Sequence, residues 1–391
     1  MLTGEKKIIP LCVPEIRGNE WKYIKECLDT NWVSSVGKYV DKFERSVADY
    51  VGAHHSVACV NGTAALHMAL LVAGVQPEDE VLVPSLTFVA PANAVRYTGA
   101  WPVFIDVQPD IWQMDPRKVE DFLTNECEQR HGQLTNKNTG RPVKGIMPVH
   151  ILGHPVDMDP ILEIAQKYGL KVIEDATESL GADYKGCKVG TLSDLACFSF
   201  NGNKIITSGG GGMILTNNKE LADKARYLTT QAKSDGVEYI HNEIGYNYRL
   251  TNLAAAMGLA QMEKLAEYVK IKRRIAQTYS EGLKDLKGIT LPVNAEWANS
   301  TFWIYTILVN EKEYGMNSRA LLNKLEERGI QTRPFWHPVH SLKPFRNCYA
   351  YKIEVADRLY RDGLSLPSSI GISQHDQERV IRMIRENVSG K

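Results

Sequence analysis

The sequence predicts an α/β fold built on a mainly parallel sheet, and three observations carry that prediction. Six short runs rich in β-branched and other apolar residues recur between about residues 50 and 216: HSVACV, EVLVPS, PVFIDV, KGIMPVHI, KVIEDA and LACFSF. Segments with apolar residues at helical spacing, such as TAALHMALLVAG and DPILEIAQKYG, lie between several of them. Polar and small residues then cluster just after the runs, at Asn61-Gly62-Thr63, Ser85 to Phe88, His150 to His154, Asp175 to Glu178 and Asn201 to Lys204. Ligands of open parallel sheets collect beyond the carboxyl ends of the strands, so these are the positions to inspect.

In chain order, the strand and helix signals to residue 216 form one layered unit. A long helical region, roughly Asn252 to Leu283, leads away from it. Beyond it, the strand patterns FWIYTILV and IQTRPFW mix with the helical patterns SRALLNKLEERG and HDQERVIRMIREN. We therefore expect a large α/β domain over 1–265, including the N-terminal segment, and a smaller α+β domain over 266–391. The polar stretch LTNECEQRHGQLTNKNTGRPVKG reads as a surface excursion. No internal repeat or low-complexity segment occurs.

Composition narrows the function. The chain has 391 residues, with 46 Lys and Arg against 46 Asp and Glu, so no net field favours nucleic acid or an anionic membrane. Any anionic ligand must be held by local groups. Seven cysteines without a CxxC pair argue against a fully paired disulfide framework and for a reducing cytoplasm. The start lacks an apolar signal core, and no apolar run approaches the ~20 residues of a membrane span. The expectation is a soluble, unexported protein.

Three constellations carry chemistry. In NGTAALHMAL a strand turns into a helix, so the amides of Thr63 and Ala64 and a hydroxyl can face one anion at a helix N-terminus. Asn-Gly-Thr is equally a turn followed by an N-cap. KVIEDATESLGA ends an apolar strand with Glu174 and Asp175, where a carboxylate can pair with the protonated ring nitrogen of an electron-withdrawing cofactor. Taken alone, a turn cap is the simpler account of Asp175. Lys204 follows LACFSF in the same layer, and a partly desolvated amine there suits Schiff-base chemistry, although most lysines are solvated surface groups. The run Gly209 to Gly212 favours the functional reading, because four glycines cost chain entropy unless the backbone must approach something closely or adopt positive φ.

Other motifs lose support. The glycine run does not complete GxGxxG, and GxxxxGK[ST] is missing. His150 and His154 have HxxxH spacing, but on a strand end and loop without the acidic partner of HExxH, so no metal is expected. Basic residues do not alternate with aromatics, which leaves nucleic-acid binding without a footprint.

In order, a phosphate turn, an aromatic (Phe88), a strand-end aspartate, a serine before the lysine and the lysine itself resemble the DegT/DnrJ/EryC1/StrS sugar-nucleotide aminotransferases, a branch of the fold-type I pyridoxal-phosphate enzymes. The likeness runs from GNEWKYIKECLDTNWVSSVGKYVDKFE through GYNYRLTNLAAAMGLAQ to TRPFWHPVH. It implies that Lys204 binds pyridoxal 5'-phosphate covalently and shuttles the proton, and that Asp175 keeps the pyridine nitrogen protonated. It also implies that Thr63, Ala64 and Ser199 hold the phosphate, and that Phe88 stacks on the ring. Asn247 of GYNYR would reach the phosphate of a neighbouring subunit, so the active site would be completed in a homodimer. Glu178 stands where many members have glutamine or histidine near the cofactor's phenolic oxygen, and it can serve there only if protonated or suitably paired. The glycines would let the chain return close to the cofactor.

The resemblance further implies L-glutamate as amino donor and a nucleotide-linked 4-keto-6-deoxy sugar as acceptor. CVPEIRGNEWKYIKECLDTNWVSSVGKYV and SFNGNKIITSGGGGM look most like the LegC-type branch, which aminates C4 of a UDP-linked 2-acetamido-4-keto-6-deoxyhexose for bacillosamine and legionaminic-acid precursors. Perosamine synthases, acting on GDP-4-keto-6-deoxymannose, are the alternative. Dehydrating members carry histidine in place of the lysine, so Lys204 favours amino transfer. A non-catalytic binding protein on this scaffold need not keep lysine, aspartate and phosphate turn together. Ser35, Arg333 and His337 are the candidates for sugar contacts; Arg333 can equally be an ion-pair residue and His337 a satisfied turn histidine.

Overall fold

All six runs form strands, and a seventh folds back among them. In the computed structural model, which describes residues 8–388, the large sheet contains β1 (His55–Cys59), β2 (Glu80–Pro84), β3 (Trp101–Ile105), β4 (Val143–Ile146), β5 (Lys171–Asp175), β6 (Leu195–Ser199) and β7 (Gly212–Thr216). With Ala350–Tyr351 at the edge, the eight strands run β1-β7-β6-β5-β4-β2-β3-Ala350. Seven of these strands run in one direction and β7 runs against them. Helices cover both faces, which is why β2 is buried at every residue and reads as a continuous apolar run instead of an alternating one.

The register aligns the site. Gly212, the first residue of β7, sits opposite Cys59 on one side and Ser199 on the other, while Cys197 pairs with Asp175. The carboxyl ends of β1, β6 and β5 therefore lie side by side, and Asn61, Ser199 and Asp175 emerge at one edge of the sheet.

The expected helical region Asn252 to Leu283 is two helices, Asn252–Met262 and Leu265–Leu283. The first packs on the N-terminal helices Glu20–Asp29 and Lys38–Val51, and the second on the C-terminal helix Gln374–Glu386. A four-stranded antiparallel sheet of Ile289–Thr290, Thr306–Val309, Gly363–Ser365 and Arg333–Pro334 shares a core with these last helices, including Tyr279, Ile307, Leu325 and Ile384. FWIYTILV is strand only from Thr306; its first residues bond elsewhere, with the Trp303 amide donating to Leu152 O. Backbone pairings cross a division at 265/266 in several places, that of Ala298–Asn299 with Asp183–Tyr184 among them. Ile9 forms a parallel bridge with Ile330, and Ala350–Tyr351 returns to pair with β3.

The polar excursion folds as an antiparallel hairpin, Cys127–Arg130 with Gln133–Asn136. Its two-residue turn has His131 at φ 50° and Gly132 at φ 77°, the positive pair that a type I′ hairpin requires.

None of the four glycines lines the cavity; Gly211 and Gly212 press on the chain, while Gly209 takes φ +81° with nothing within 4 Å. A Cβ on Gly212 would lie 2.4 Å from the carbonyl oxygen of Asn61, so β7 can reach its place between β1 and β6 only without a side chain there. This corrects the expectation that the run borders a ligand: it supports the Asn61 turn from behind. Gly212→Ala should cost about 2 kcal/mol or more in urea unfolding. A change under about 0.5 kcal/mol would show that this approach relaxes freely.

Candidate active site

The aligned strand ends, with loops from the C-terminal part of the chain, enclose a cavity of about 780 Å³. Thr63, Phe88, Asp175, Glu178, Ser199 and Lys204 line it, as do Arg333 and His337. Residues from four separate strand ends thus meet at one place, although about 140 positions separate Thr63 from Lys204.

The turn after β1 begins the helix Gly62–Val72. Asn61 caps it, its Oδ1 accepting the Ala64 amide at 2.8 Å. Cap and anion site coexist here. The cap occupies Ala64, which does not line the cavity, so the expected contact from its amide is not available. Gly62 and Thr63 open the helix, where amides have no intrahelical acceptor. Ser199 stands against this turn: a Cβ on Gly62 would come within 2.9 Å of the Ser199 Cβ.

Asp175 closes β5 and is 1% exposed. Burial raises its carboxyl above the ordinary range, while the Thr177 side chain and amide and the Lys204 charge oppose the shift. The Thr177 amide donates to Oδ1 at 3.1 Å, so the local turn contact anticipated for Asp175 exists alongside its place in the cavity wall.

Lys204 sits in the loop after β6, held by its amide donating to Asn201 O at 3.0 Å. Its Nζ lies 3.6 Å from Glu178 Oε1 and 3.9 Å from the centroid of the Trp303 ring. Glu178 is therefore paired, as a carboxylate at this position requires. Its Oε2 accepts the Leu152 amide at 2.8 Å. Burial pushes the Glu178 carboxyl up to about 7, against the pull of Lys204 and the Leu152 amide, with the Asp175 charge adding to the rise. Leu152 presents that amide from the left-handed region, at φ 58° and ψ 11°. The next residue, Gly153, has φ +90° and abuts Thr301, whose Oγ1 would be 2.2 Å from an added Cβ.

The two histidines are core groups. His150 Nε2 lies 3.1 Å from Glu174 Oε1, and its Nδ1 accepts the Val156 amide at 3.0 Å. His154 bonds Pro155 O and the Ala295 amide through its two nitrogens, and burial lowers it to about 4. No cluster able to hold a metal ion occurs among the described residues.

At the mouth, Phe88 is 52% exposed and available for ring contact. Arg333 is exposed and donates to Thr332 O at 2.8 Å. His337 lies 4.7 Å, ring to ring, from Tyr360 and 3.0 Å from Ser341 Oγ. Ser35 and Asn247 do not line this cavity within one chain, and Asn247 is exposed. Sequence reasoning missed Trp303, Leu152 and Tyr360. Trp303 was hidden in an apparent strand, and no local pattern announces a tryptophan nearly a hundred residues away as the cover of a lysine.

This donor set fits pyridoxal 5'-phosphate: helix-start amides and a serine hydroxyl for the phosphate, a buried carboxylate for a ring nitrogen, an aromatic wall and an amine. Glu178 also sets a pH dependence for the protein without cofactor. Its folded value exceeds the ordinary value of 4.5, so ionisation favours the unfolded chain first. The stability lost is nil below about 4.5, grows as pH rises and is complete above about 7. Glu178→Gln should therefore gain on the parent protein by roughly 3 kcal/mol between pH 4.5 and 8. Melting curves at stepped pH check this, and a gap independent of pH would refute it.

The DegT/DnrJ/EryC1/StrS aminotransferase family model matches residues 14–385. The GDP-perosamine synthase of Caulobacter vibrioides is 42% identical over 376 residues, covering 95% of this chain and 96% of that protein. The GDP-perosamine synthase of Escherichia coli O157:H7 is 39% identical, covering 98% and 100%. Among solved structures, a DegT DnrJ EryC1 StrS aminotransferase from Brucella abortus superimposes with a TM-score of 0.87 at 30% identity, covering 95% of this chain and 96% of that one. The first two of these relatives, both GDP-perosamine synthases, correct the LegC-type likeness of the N-terminal and lysine-loop stretches. The chain belongs to the DegT/DnrJ/EryC1/StrS aminotransferase family, has the fold-type I architecture and is a pyridoxal-phosphate-dependent sugar aminotransferase.

Proposed function

We propose that this enzyme transfers an amino group from L-glutamate to C4 of a GDP-linked 4-keto-6-deoxy sugar, the reaction of a GDP-perosamine synthase. The observation that carries the choice of nucleotide is the 42% identity, over nearly the full length of both chains, to an enzyme of that name. This replaces the UDP-linked acetamido sugar as the leading reading.

Bound pyridoxal phosphate supplies an electron sink for the carbanion formed when a proton leaves the substrate carbon. The chain's residues do the rest. Lys204 Nζ, 14% exposed at the side chain, anchors the cofactor and moves the proton to and from that carbon. The Asp175 carboxylate would keep a proton on the ring nitrogen, and that protonated ring would give its buried charge a partner. Glu178, between Leu152 and Lys204, orients the phenolic side of the ring. Gly62, Thr63 and Ser199 hold the phosphate. Phe88 would stack on the ring, and Arg333 and His337, which line the same cavity, would meet the sugar nucleotide.

A homodimer in which Asn247 serves the partner's phosphate is part of this proposal. Asn247 is exposed, and just before it Val237, Tyr239, Ile240 and Ile244 are 84%, 66%, 50% and 87% exposed, an apolar surface suited to a second copy. The cytoplasm is the proposed location; no helix among the described residues is long and apolar enough to cross a membrane.

Two measurements check the reading. Purified protein given cofactor should show the visible band of a lysine-bound pyridoxal, Lys204→Ala should lose it, and amine formation should fall by at least about 10²-fold. A band retained in the variant would remove Lys204 from its role. With purified GDP- and UDP-linked 4-keto sugars, kcat/KM should favour GDP by at least about tenfold. Equal or reversed preference would return the UDP reading.

A further inference from the structure

Behind the cavity, the long helix Leu265–Leu283 buries a lysine that the proposed reaction does not use. Lys272 is 1% exposed, and its recorded partners are neutral: Trp303 O at 2.8 Å, Ser368 O in a short bond, and Cys12 Sγ at 3.8 Å. Burying an ammonium group without a carboxylate is costly, and burial does lower the Lys272 amine from its ordinary value. A hydrophobic side chain of similar length would fill the same space but remove this donor from the Trp303 and Ser368 carbonyls, so what the lysine contributes is its bonds and not its bulk.

What Lys272 holds is informative. Trp303 is 3% exposed and bonded at three points. Its amide donates to Leu152 O at 2.9 Å, its carbonyl accepts from Lys272, and its indole N–H donates to Asn203 O at 2.7 Å. The first of these residues supplies the amide on Glu178, and the last is the chain neighbour of Lys204. The indole face itself covers Lys204 Nζ at 3.9 Å. Lys272 also anchors Ser368 O, and the Ser368 hydroxyl accepts the Tyr305 amide at 3.0 Å, so the segment on the other side of Trp303 is fixed from the same point. The strap at Leu11–Val13 joins this arrangement through Cys12, whose thiol donates to Asn203 O at 3.2 Å.

We propose that Lys272 is a positioning residue for Lys204: by holding the Trp303 carbonyl it keeps the indole seated over the reactive amine and the loop at Asn203 in place. This rests on the proposed function only in taking Lys204 as the reactive amine.

The test reads Lys204 itself in cofactor-free protein, by reductive methylation with formaldehyde and cyanoborohydride followed by peptide mass spectrometry. Lys272→Met should raise the methylation rate of Lys204 roughly fivefold, the scale of one lost cation–π contact, with exposed lysines unchanged. Trp303→Ala should raise it similarly, and adding Lys272→Met to that variant should change nothing further. Should Lys272→Met fail to fold, Lys272→Gln, which retains an N–H for one carbonyl, is read the same way. A folded Lys272 variant that melts earlier but methylates Lys204 at the parent rate overturns the proposal, as do additive effects in the double variant. Because the reagent needs no cofactor, a positive result stands even if no pyridoxal band ever forms, which separates this inference from the functional one.

Discussion

A lysine and two carboxylates share the interior end of one sheet, with Asp175 at 1% and Glu178 at 6% exposure. Isolated charges in such a place are very costly, so each must be neutralised, paired or held by donors. The surrounding structure supplies these means in turn. The Thr177 amide serves Asp175, the unusual backbone at Leu152 delivers an amide to Glu178, and Trp303 offers its ring face to Lys204. The Glu178 carboxyl, raised to about 7 by burial, stands beside the amine to which the proposed function assigns the proton transfers.

The sheet's topology makes this convergence possible. With β7 inserted antiparallel between β1 and β6, the Asn61-Gly62-Thr63 turn is brought beside the strand that leads to the Lys204 loop. Gly212 is the contact where that insertion is tightest. The C-terminal part then closes the cavity from above with Trp303, Arg333 and His337. It also reaches back to the large sheet through Ala350–Tyr351, so lid and floor are joined by hydrogen bonds as well as by the chain.

Much of this was legible in the sequence, for identifiable reasons. The parallel strands announce themselves as apolar runs because both sheet faces are covered, and chemistry gathers where such strands end, which brought out Thr63, Asp175 and Lys204, whereas Ser199 came only with the family resemblance. Ala64 was half right: its position is at the turn, but an Asn cap takes its amide, and a cap and an anion site have the same sequence signature. The glycine run signalled close approach without saying to what. Trp303, Leu152 and Lys272 were illegible because their roles depend on tertiary contacts, from 26 residues for Leu152 with Glu178 and 31 for Lys272 with Trp303 to nearly a hundred for Trp303 with Lys204, and no local periodicity records such partners. The break in the helical region at Glu263 was equally silent, since neither Gly nor Pro marks it.

The central claim is that Lys204, Asp175 and the Thr63 turn form one cofactor site with Lys204 as the covalent anchor. The most direct measurement is to load the purified protein with pyridoxal 5'-phosphate, reduce it with borohydride and map the phosphopyridoxyl group by peptide mass spectrometry. The account predicts one modified residue per chain, in the peptide containing Lys204. Modification spread over surface lysines, or concentrated on a lysine outside this cavity, would contradict it.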